Sequence, residues 1–233
     1  MNLRHVGTLI FFVGCFAIID TATVAEYITV FHKYLENPSQ MGEIAPMSKS
    51  VGKELIKYVE KNSLYKNGEG QYYLEAGGGA GAVSVCIVEK LRPQDHLDIV
   101  EINPQLCNLL RIKFKQYKNV SVHCCSVLDW HPGYTYDVII STLPFLSLGI
   151  EFARQAIPYF QSVASDTCMF SCVEYPIVTK VKMLAYRLGL NTVKLDVQQY
   201  MARVRSRYLK EFKTVYSNIP PTNIYHLDFG KHV

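Results

Sequence analysis

Between residues 71 and 174 short apolar runs alternate with stretches in which apolar positions recur every three or four residues, at a repeat of about 25 residues. The runs predict strands at Gln71–Glu75, His96–Glu101, Val120–Cys125, Asp137–Thr142 and Thr167–Glu174. The spaced stretches predict helices at Ala82–Leu91, Pro104–Tyr117 and Ile150–Ala164. Helices inserted between strands force parallel pairing through right-handed crossovers, so the pattern implies an open, doubly wound α/β sheet. Near the end, Phe212–Tyr216 and Asn223–Phe229 flank the turn residues Asn218, Pro220 and Pro221. These two runs predict an antiparallel pair that closes one edge of a mostly parallel, seven-stranded sheet.

Upstream the periodicity is helical. Apolar and aromatic residues recur at helical spacing from Ala25 to Leu35, and Glu36-Asn37-Pro38-Ser39 breaks the pattern. After a loop, Ser48 is placed to cap a helix with Val51, Leu55, Ile56 and Val59 on one face and Lys53, Lys57 and Lys61 on the other. Before these N-terminal helices, Val6 to Ile19 is an uninterrupted run of apolar and small residues, too short for a bilayer-spanning helix of about 20 residues. The favoured reading of residues 1–25 is a shallow membrane anchor. A signal-peptide core and a hydrophobic helix packed on the domain are the alternatives. Residues 26–233 then form a single domain.

Composition narrows the class. Apolar residues make up 49 % and charged residues 19 %, with no repeat or low-complexity tract, which excludes disorder and solenoids. The excess of 24 Lys+Arg over 20 Asp+Glu is too small to imply nucleic acid by itself. Seven cysteines, odd in number and without paired CxxC and His spacing, support neither a disulfide framework nor a zinc site, and they point to a reducing, cytoplasmic compartment.

The densest chemical signal is Tyr72-Tyr73-Leu74-Glu75-Ala76-Gly77-Gly78-Gly79-Ala80-Gly81, a strand that runs into a glycine loop and then a helix. Glycines at 77, 79 and 81 permit a tight turn and close approach of a ligand to the main chain. Glu101 ends the following strand 20 residues after Gly81, where a carboxylate accepts the hydroxyls of a ribose. Glu75 sits directly before the glycines. A carboxylate there repels a pyrophosphate and suits the cationic amino-acid end of an adenosyl sulfonium.

Glu75 to Gly81 resembles the E/D-x-G-x-G-x-G motif of class I S-adenosylmethionine-dependent methyltransferases, and Glu101 matches their ribose-binding acid. The resemblance implies a Rossmann-like fold, S-adenosylmethionine as cofactor, no metal, and a pocket drawing on Glu75, Gly77, Gly78, Gly79, Gly81, Glu101, Ile102, Ser126, Val127, Ser141, Leu143 and Pro144. Ser126 stands where the family usually has an acid near the adenine.

Three further stretches narrow the resemblance. Tyr34 to Ser48 is similar to the F-L-x-x-P-x-x-x-G-x-I-x-P-S-S segment of bacterial phospholipid N-methyltransferases, with Met47 in place of the first serine. Asp137 to Leu148 resembles their D-x-V-V-S-x-L-P-L-L-x-L, and Asn218 to Tyr225 their terminal N-x-P-P-A-x-V-W. The implied reaction is methylation of the phosphatidylethanolamine amine at a membrane surface, with Met41, Ile44, Pro46, Ser48 and Phe145 facing substrate or membrane. Related ribosomal RNA adenine dimethylases resemble N-L-P-[YF] at this place. Here Ser141-Thr142-Leu143-Pro144-Phe145 lacks the Asn but keeps the aromatic, so RNA is the second acceptor. Tyr34 and, after it, His32 are the candidates to take the ammonium proton.

Basic residues are segregated. Between Lys180 and Lys213 nine of them face two acids. Arg203, Arg205 and Arg207 are placed to hold phosphate headgroups, at about 1 kcal/mol each near an anionic leaflet. An RNA backbone would use the same residues. A catalytically degenerate, membrane-associated protein of the same fold is the remaining alternative.

Overall fold

The computed structural model describes residues 47–59, 68–175, 196–218 and 221–230. The expected helix at 25–35, the segment 1–25, the lysines from 180 to 194, and Tyr34, His32, Met41, Ile44 and Pro46 lie outside the described residues.

In chain order the elements are α1 (Lys49–Leu55), β1 (Tyr72–Ala76), α2 (Ala82–Val88), β2 (His96–Glu101), α3 (Pro104–Lys113), β3 (Val120–Cys124), β4 (Tyr136–Ser141), α4 (Phe145–Leu148), α5 (Ile150–Ser162), β5 (Ala164–Glu174), α6 (Asp196–Tyr208), β6 (Leu209–Val215) and β7 (Thr222–Asp228). They build a seven-stranded sheet of order β3-β2-β1-β4-β5-β7-β6, in which the first five strands are parallel and β7 runs antiparallel to both β5 and β6. The mostly parallel sheet with an antiparallel edge is therefore as the pattern predicts.

Period-two alternation divides the strands between two cores. Tyr73, Leu97, Ile99, Val138 and Ile140 face α1, α2 and α3, where Val51, Leu55, Val83, Ile87, Leu110 and Phe114 close one apolar layer. Leu74, Val100, Tyr136 and Ile139 face the opposite way, onto Phe145, Ala153, Ile157 and Phe160 of α4 and α5 and Val197, Met201 and Val204 of α6. Being buried on both faces, these strands read as continuous apolar runs.

Element ends follow local chemistry. Ser48 accepts from the Val51 N–H and caps α1, and Asn103 accepts from the Gln105 and Leu106 N–H groups at the start of α3, with Pro104 in its first turn. Strand β5 starts at Ala164, three residues before the predicted start at Thr167, because Ala164 pairs with Tyr136 across a register shift. Strand β6 follows α6 directly and starts at Leu209, three residues before Phe212.

One charged residue in the second core was invisible in the sequence. Asp98, inside the apolar run of β2, is fully buried and accepts from His123 at 2.6 Å, His96 at 3.1 Å, and the Tyr134 and Tyr136 hydroxyls at 2.7 and 2.8 Å. Burial alone would raise its pKa, but those four bonds hold the carboxyl far below the usual carboxylate range. His123 stacks on Trp130 at 3.6 Å, and the Trp130 indole donates to Tyr136, so the network ties the 130–136 connection to β2 and β3.

Candidate cofactor site

The site is built at the carboxyl end of β1, where the strand order turns from β2 on one side to β4 on the other. The main chain leaves β1 through Gly77, Gly79 and Gly81, all with positive φ, at 87°, 54° and 83°. Gly78 has a different constraint. A Cβ there would lie 2.4 Å from Ile99 Cγ2 and 3.0 Å from Leu110 Cδ1, so the loop packs on β2 and α3 too closely for any side chain.

Each turn of the loop is held from a neighbouring element. The N–H groups of Gly77 and Gly78 donate to the Val100 carbonyl, at 2.8 and 3.4 Å. The Thr142 hydroxyl donates to the Gly77 carbonyl at 2.6 Å, and Lys113 Nζ donates to the Ala80 carbonyl at 3.1 Å. Glu101 carries a role beyond the one foreseen: one carboxylate oxygen accepts from Gly79 N–H and the other from Asn103 N–H, both at 2.9 Å. Each oxygen has a second lone pair, so a carboxylate that fastens the loop can still accept a further donor.

Glu75 is fully buried, and among the described residues neither of its oxygens has a hydrogen-bond partner. Burial pushes its carboxyl up to about 8, against an opposing pull from Ser84, which lies close by but outside hydrogen-bond geometry. Ser84, on α2, is itself fully buried, and its hydroxyl has no hydrogen-bond partner among the described residues. Two unsatisfied polar groups side by side beneath a glycine loop are costly in the free protein, by about 1–3 kcal/mol for each group left unpaired. They mark a place that a polar, cationic ligand group would complete.

The remaining expected residues divide. Ile102 is 69 % exposed beside Glu101 and offers an apolar surface at the mouth of the site. Ser126 accepts from Leu128 N–H and caps the short turn Val127–Asp129, with Val127 buried. Ser141 is buried at the end of β4, its hydroxyl accepting from Leu143 N–H at 3.4 Å, and Pro144 turns the chain into α4. Phe145 is buried against Phe152, in the core, and is not presented on the surface.

Ser48 lies on another element, and its main-chain N–H donates to the Asn218 side chain at 3.0 Å. Two of the stretches singled out in the sequence thus meet. Asn218 also donates to Thr222, so the turn before β7 braces the start of α1. Of the basic trio, Arg205 is occupied: it pairs with Glu174 at 3.1 Å and lies over the Tyr225 ring. Arg203 and Arg207 remain exposed, the latter over Tyr208.

Thr142, Ser84, Asn103 and Lys113 are the residues that sequence reasoning missed. Thr142 carried a signal, since it follows the last residue of β4, but nothing in the spacing shows Lys113 reaching back to a loop 32 positions earlier. Among the described residues no group of His, Cys, Asp and Glu is arranged to hold a metal.

The sequence matches no protein-family model and no curated protein. Solved structures of similar fold are numerous. The N-methyltransferase NodS of Bradyrhizobium japonicum, in complex with S-adenosylhomocysteine, matches with TM-score 0.57 at 16 % identity over 87 % of this chain and 97 % of its own. The O-methyltransferase of Bacillus cereus, also with S-adenosylhomocysteine, matches with TM-score 0.61 at 12 % identity, over 91 % and 92 %. Magnesium protoporphyrin IX methyltransferase of Synechocystis, again with S-adenosylhomocysteine, matches with TM-score 0.58 at 12 % identity, over 87 % and 98 %. Their acceptors differ, and at such identities the likeness carries the architecture alone. With its seven-stranded, mostly parallel sheet and antiparallel edge, this chain has the Rossmann-like fold of these methyltransferases.

Proposed function

We propose that the protein is an S-adenosylmethionine-dependent N-methyltransferase acting on the amine of phosphatidylethanolamine at a membrane surface. The observation that carries the cofactor is Glu75: a buried carboxyl with no hydrogen-bond partner among the described residues, directly before a glycine turn of positive φ at 77, 79 and 81. Glu75 would hold the cationic amino-acid end, the lone pairs of Glu101 the ribose hydroxyls, and Ile102 with Ser126 and Val127 would border the adenine. S-adenosylmethionine supplies, when bound, a methyl group on a sulfonium that an amine displaces in line.

The protein's own part is alignment and exclusion of water. Thr142, Lys113 and Glu101 fix the loop from three sides, and a loop fixed before the ligand arrives spares ordering entropy on binding. The buried Phe145 and the half-buried Leu143 would close the side next to β4. An ammonium acceptor must first lose a proton, a task the sequence gives to Tyr34 or His32.

The lipid acceptor is supported by the ordered likeness of residues 34–48, 137–148 and 218–225 to phospholipid N-methyltransferases, and by the contact between Ser48 and Asn218 that joins the first and last of these stretches. Among the described residues no helix is long and apolar enough to cross a membrane, so membrane access in this reading falls to residues 1–25 and to Arg203 and Arg207. The test is incubation with methyl-labelled S-adenosylmethionine and phosphatidylethanolamine liposomes. Label in the lipid extract, lost in Glu75→Gln, is the expected result. Label in added RNA and none in lipid overturns the acceptor, and no calorimetric binding of S-adenosylmethionine overturns the cofactor.

A further inference from the structure

Helix α3 connects the parallel strands β2 and β3, so it runs in the opposite direction to both and packs back on them. Its side chains turned towards β3 come one helical turn apart. Arg111 donates to the Val122 carbonyl at 3.4 Å. One turn earlier, Cys107 is buried, and its thiol donates to the Glu101 carbonyl at 3.2 Å. A step back along α3 corresponds to a step forward along β3, and the next residue after Val122 on the same face of the strand is Cys124. Cys124 is also the register partner of Glu101. Both observations bring the two thiols to one place, where they interact directly.

The two sulfurs are unequal. Cys124 is exposed at the end of β3, and Cys107 is covered. Burial, reinforced by the neighbouring Cys124 sulfur, pushes the Cys107 thiol up, so it stays protonated and unreactive while Cys124 meets the solvent. Cys125 is excluded as the partner, because it packs against the core on the opposite face of the sheet. An exposed thiol beside a protected one is the arrangement of an oxidisable cysteine with its resolving cysteine.

We propose that Cys107 and Cys124 form a redox-modification site, which a peroxide converts to an intramolecular disulfide that weakens the cofactor site. The Cys124 sulfur attacks one oxygen of hydrogen peroxide, the O–O bond breaks, and the departing hydroxide takes the thiol proton as water. The Cys107 sulfur then displaces the hydroxyl of the resulting sulfenic acid: the S–S bond forms, the S–O bond breaks, and the Cys107 proton leaves with the hydroxyl as a second water. Two thiols are oxidised and one peroxide is reduced. The link takes the Cys107 sulfur off the Glu101 carbonyl, at the residue whose carboxylate fastens Gly79 and Asn103. It also ties α3 to the strand end that leads into Ser126 and Val127. The effect on the cofactor rests on the reading of this loop as an S-adenosylmethionine site; the disulfide does not.

The test uses the full-length protein and a slight excess of hydrogen peroxide, with tryptic digestion and mass spectrometry of the free chain. A peptide containing Cys107 should be linked to the one containing Cys124 and Cys125. The link should survive Cys125→Ser and vanish in Cys124→Ser, an exposed position where the substitution spares the fold. In Cys107→Ala, Cys124 should stop at the sulfenic acid, which dimedone captures. In calorimetry the oxidised native chain should bind S-adenosylmethionine at least about fivefold more weakly, dithiothreitol should restore the affinity, and Cys124→Ser should be indifferent to peroxide. Absence of the link, or a link that persists in Cys124→Ser, overturns the site. A linked chain with unchanged affinity overturns the switch. A reduced chain that binds no S-adenosylmethionine overturns the cofactor reading and the switch with it, while the disulfide is judged by mass alone.

Discussion

Glu75 gives the most demanding test of the site, because its strain is present before any ligand binds. With its carboxyl pushed from the ordinary 4.5 to about 8 by burial, the group binds a proton more tightly in the folded chain than in the unfolded one. Its contribution to stability is therefore full below pH 4.5 and is lost as the pH rises towards and through 8. Between pH 6.5 and 8 the unfolded form is already ionised while the folded form gives up its proton only near the top. At 1.36 kcal/mol per unit, that interval removes about 1.5 kcal/mol of folding free energy. His226, whose pKa burial lowers to about 4, works in the opposite sense, and its effect fades as the unfolded imidazole loses its proton, leaving about 0.4 kcal/mol at pH 6.5 and almost none by pH 7.5. The comparison with Glu75→Gln, which keeps His226, is what isolates Glu75. Urea unfolding across that window should show the native chain losing about 1.5 kcal/mol, and Glu75→Gln should remove most of that slope. If the two proteins have parallel profiles, the carboxylate is not buried without partners, and the reading of the loop as an unfilled cation site loses its physical basis.

Other expectations follow from packing and hydrogen bonding. Gly78→Ala puts a methyl 2.4 Å from Ile99 and should cost about 1–3 kcal/mol in urea unfolding while also weakening S-adenosylmethionine binding, since the loop must lift off β2. Thr142→Val removes the bond to the Gly77 carbonyl and should weaken cofactor affinity in calorimetry roughly three- to tenfold, with a stability loss of about 1 kcal/mol. Asp98→Asn leaves four former donors facing one neutral amide. It should destabilise by about 3 kcal/mol or more at pH 7, and the difference from the native chain should shrink in acid, because a carboxyl held below its ordinary 3.8 gives stability that is lost as the pH falls through its folded value. Ser84→Ala removes an unpaired buried hydroxyl and should leave stability level or slightly raised while lowering cofactor affinity, an opposition that a purely structural serine would not produce.

Much of this was legible in the chain because it depends on neighbours in sequence. Period and breaker residues place the helices and strands, and the succession of strand and helix dictates parallel pairing. A strand, an acid, three spaced glycines and a second acid mark a ligand loop, because backbone conformation and reach along a strand are local properties. The apolar run of β4 and the cap at Ser48 belong to the same class. What depends on residues far apart was not legible. Asp98 sat unnoticed in an apolar run because its partners, His123, Tyr134 and Tyr136, are brought to it only when β2, β3 and β4 share a sheet. Arg205 counted as one of three free cations until β5 and β7 set Glu174 and Tyr225 beside it. That Phe145 packs against Phe152 of α5 likewise depends on the tertiary fold. That Glu101 fastens Gly79, and that Glu75 finds no hydrogen-bond partner among the described residues, are facts of three-dimensional proximity. Periodicity says which way a side chain points from its own strand, but only packing says what is waiting there, and a buried charge takes its meaning from that.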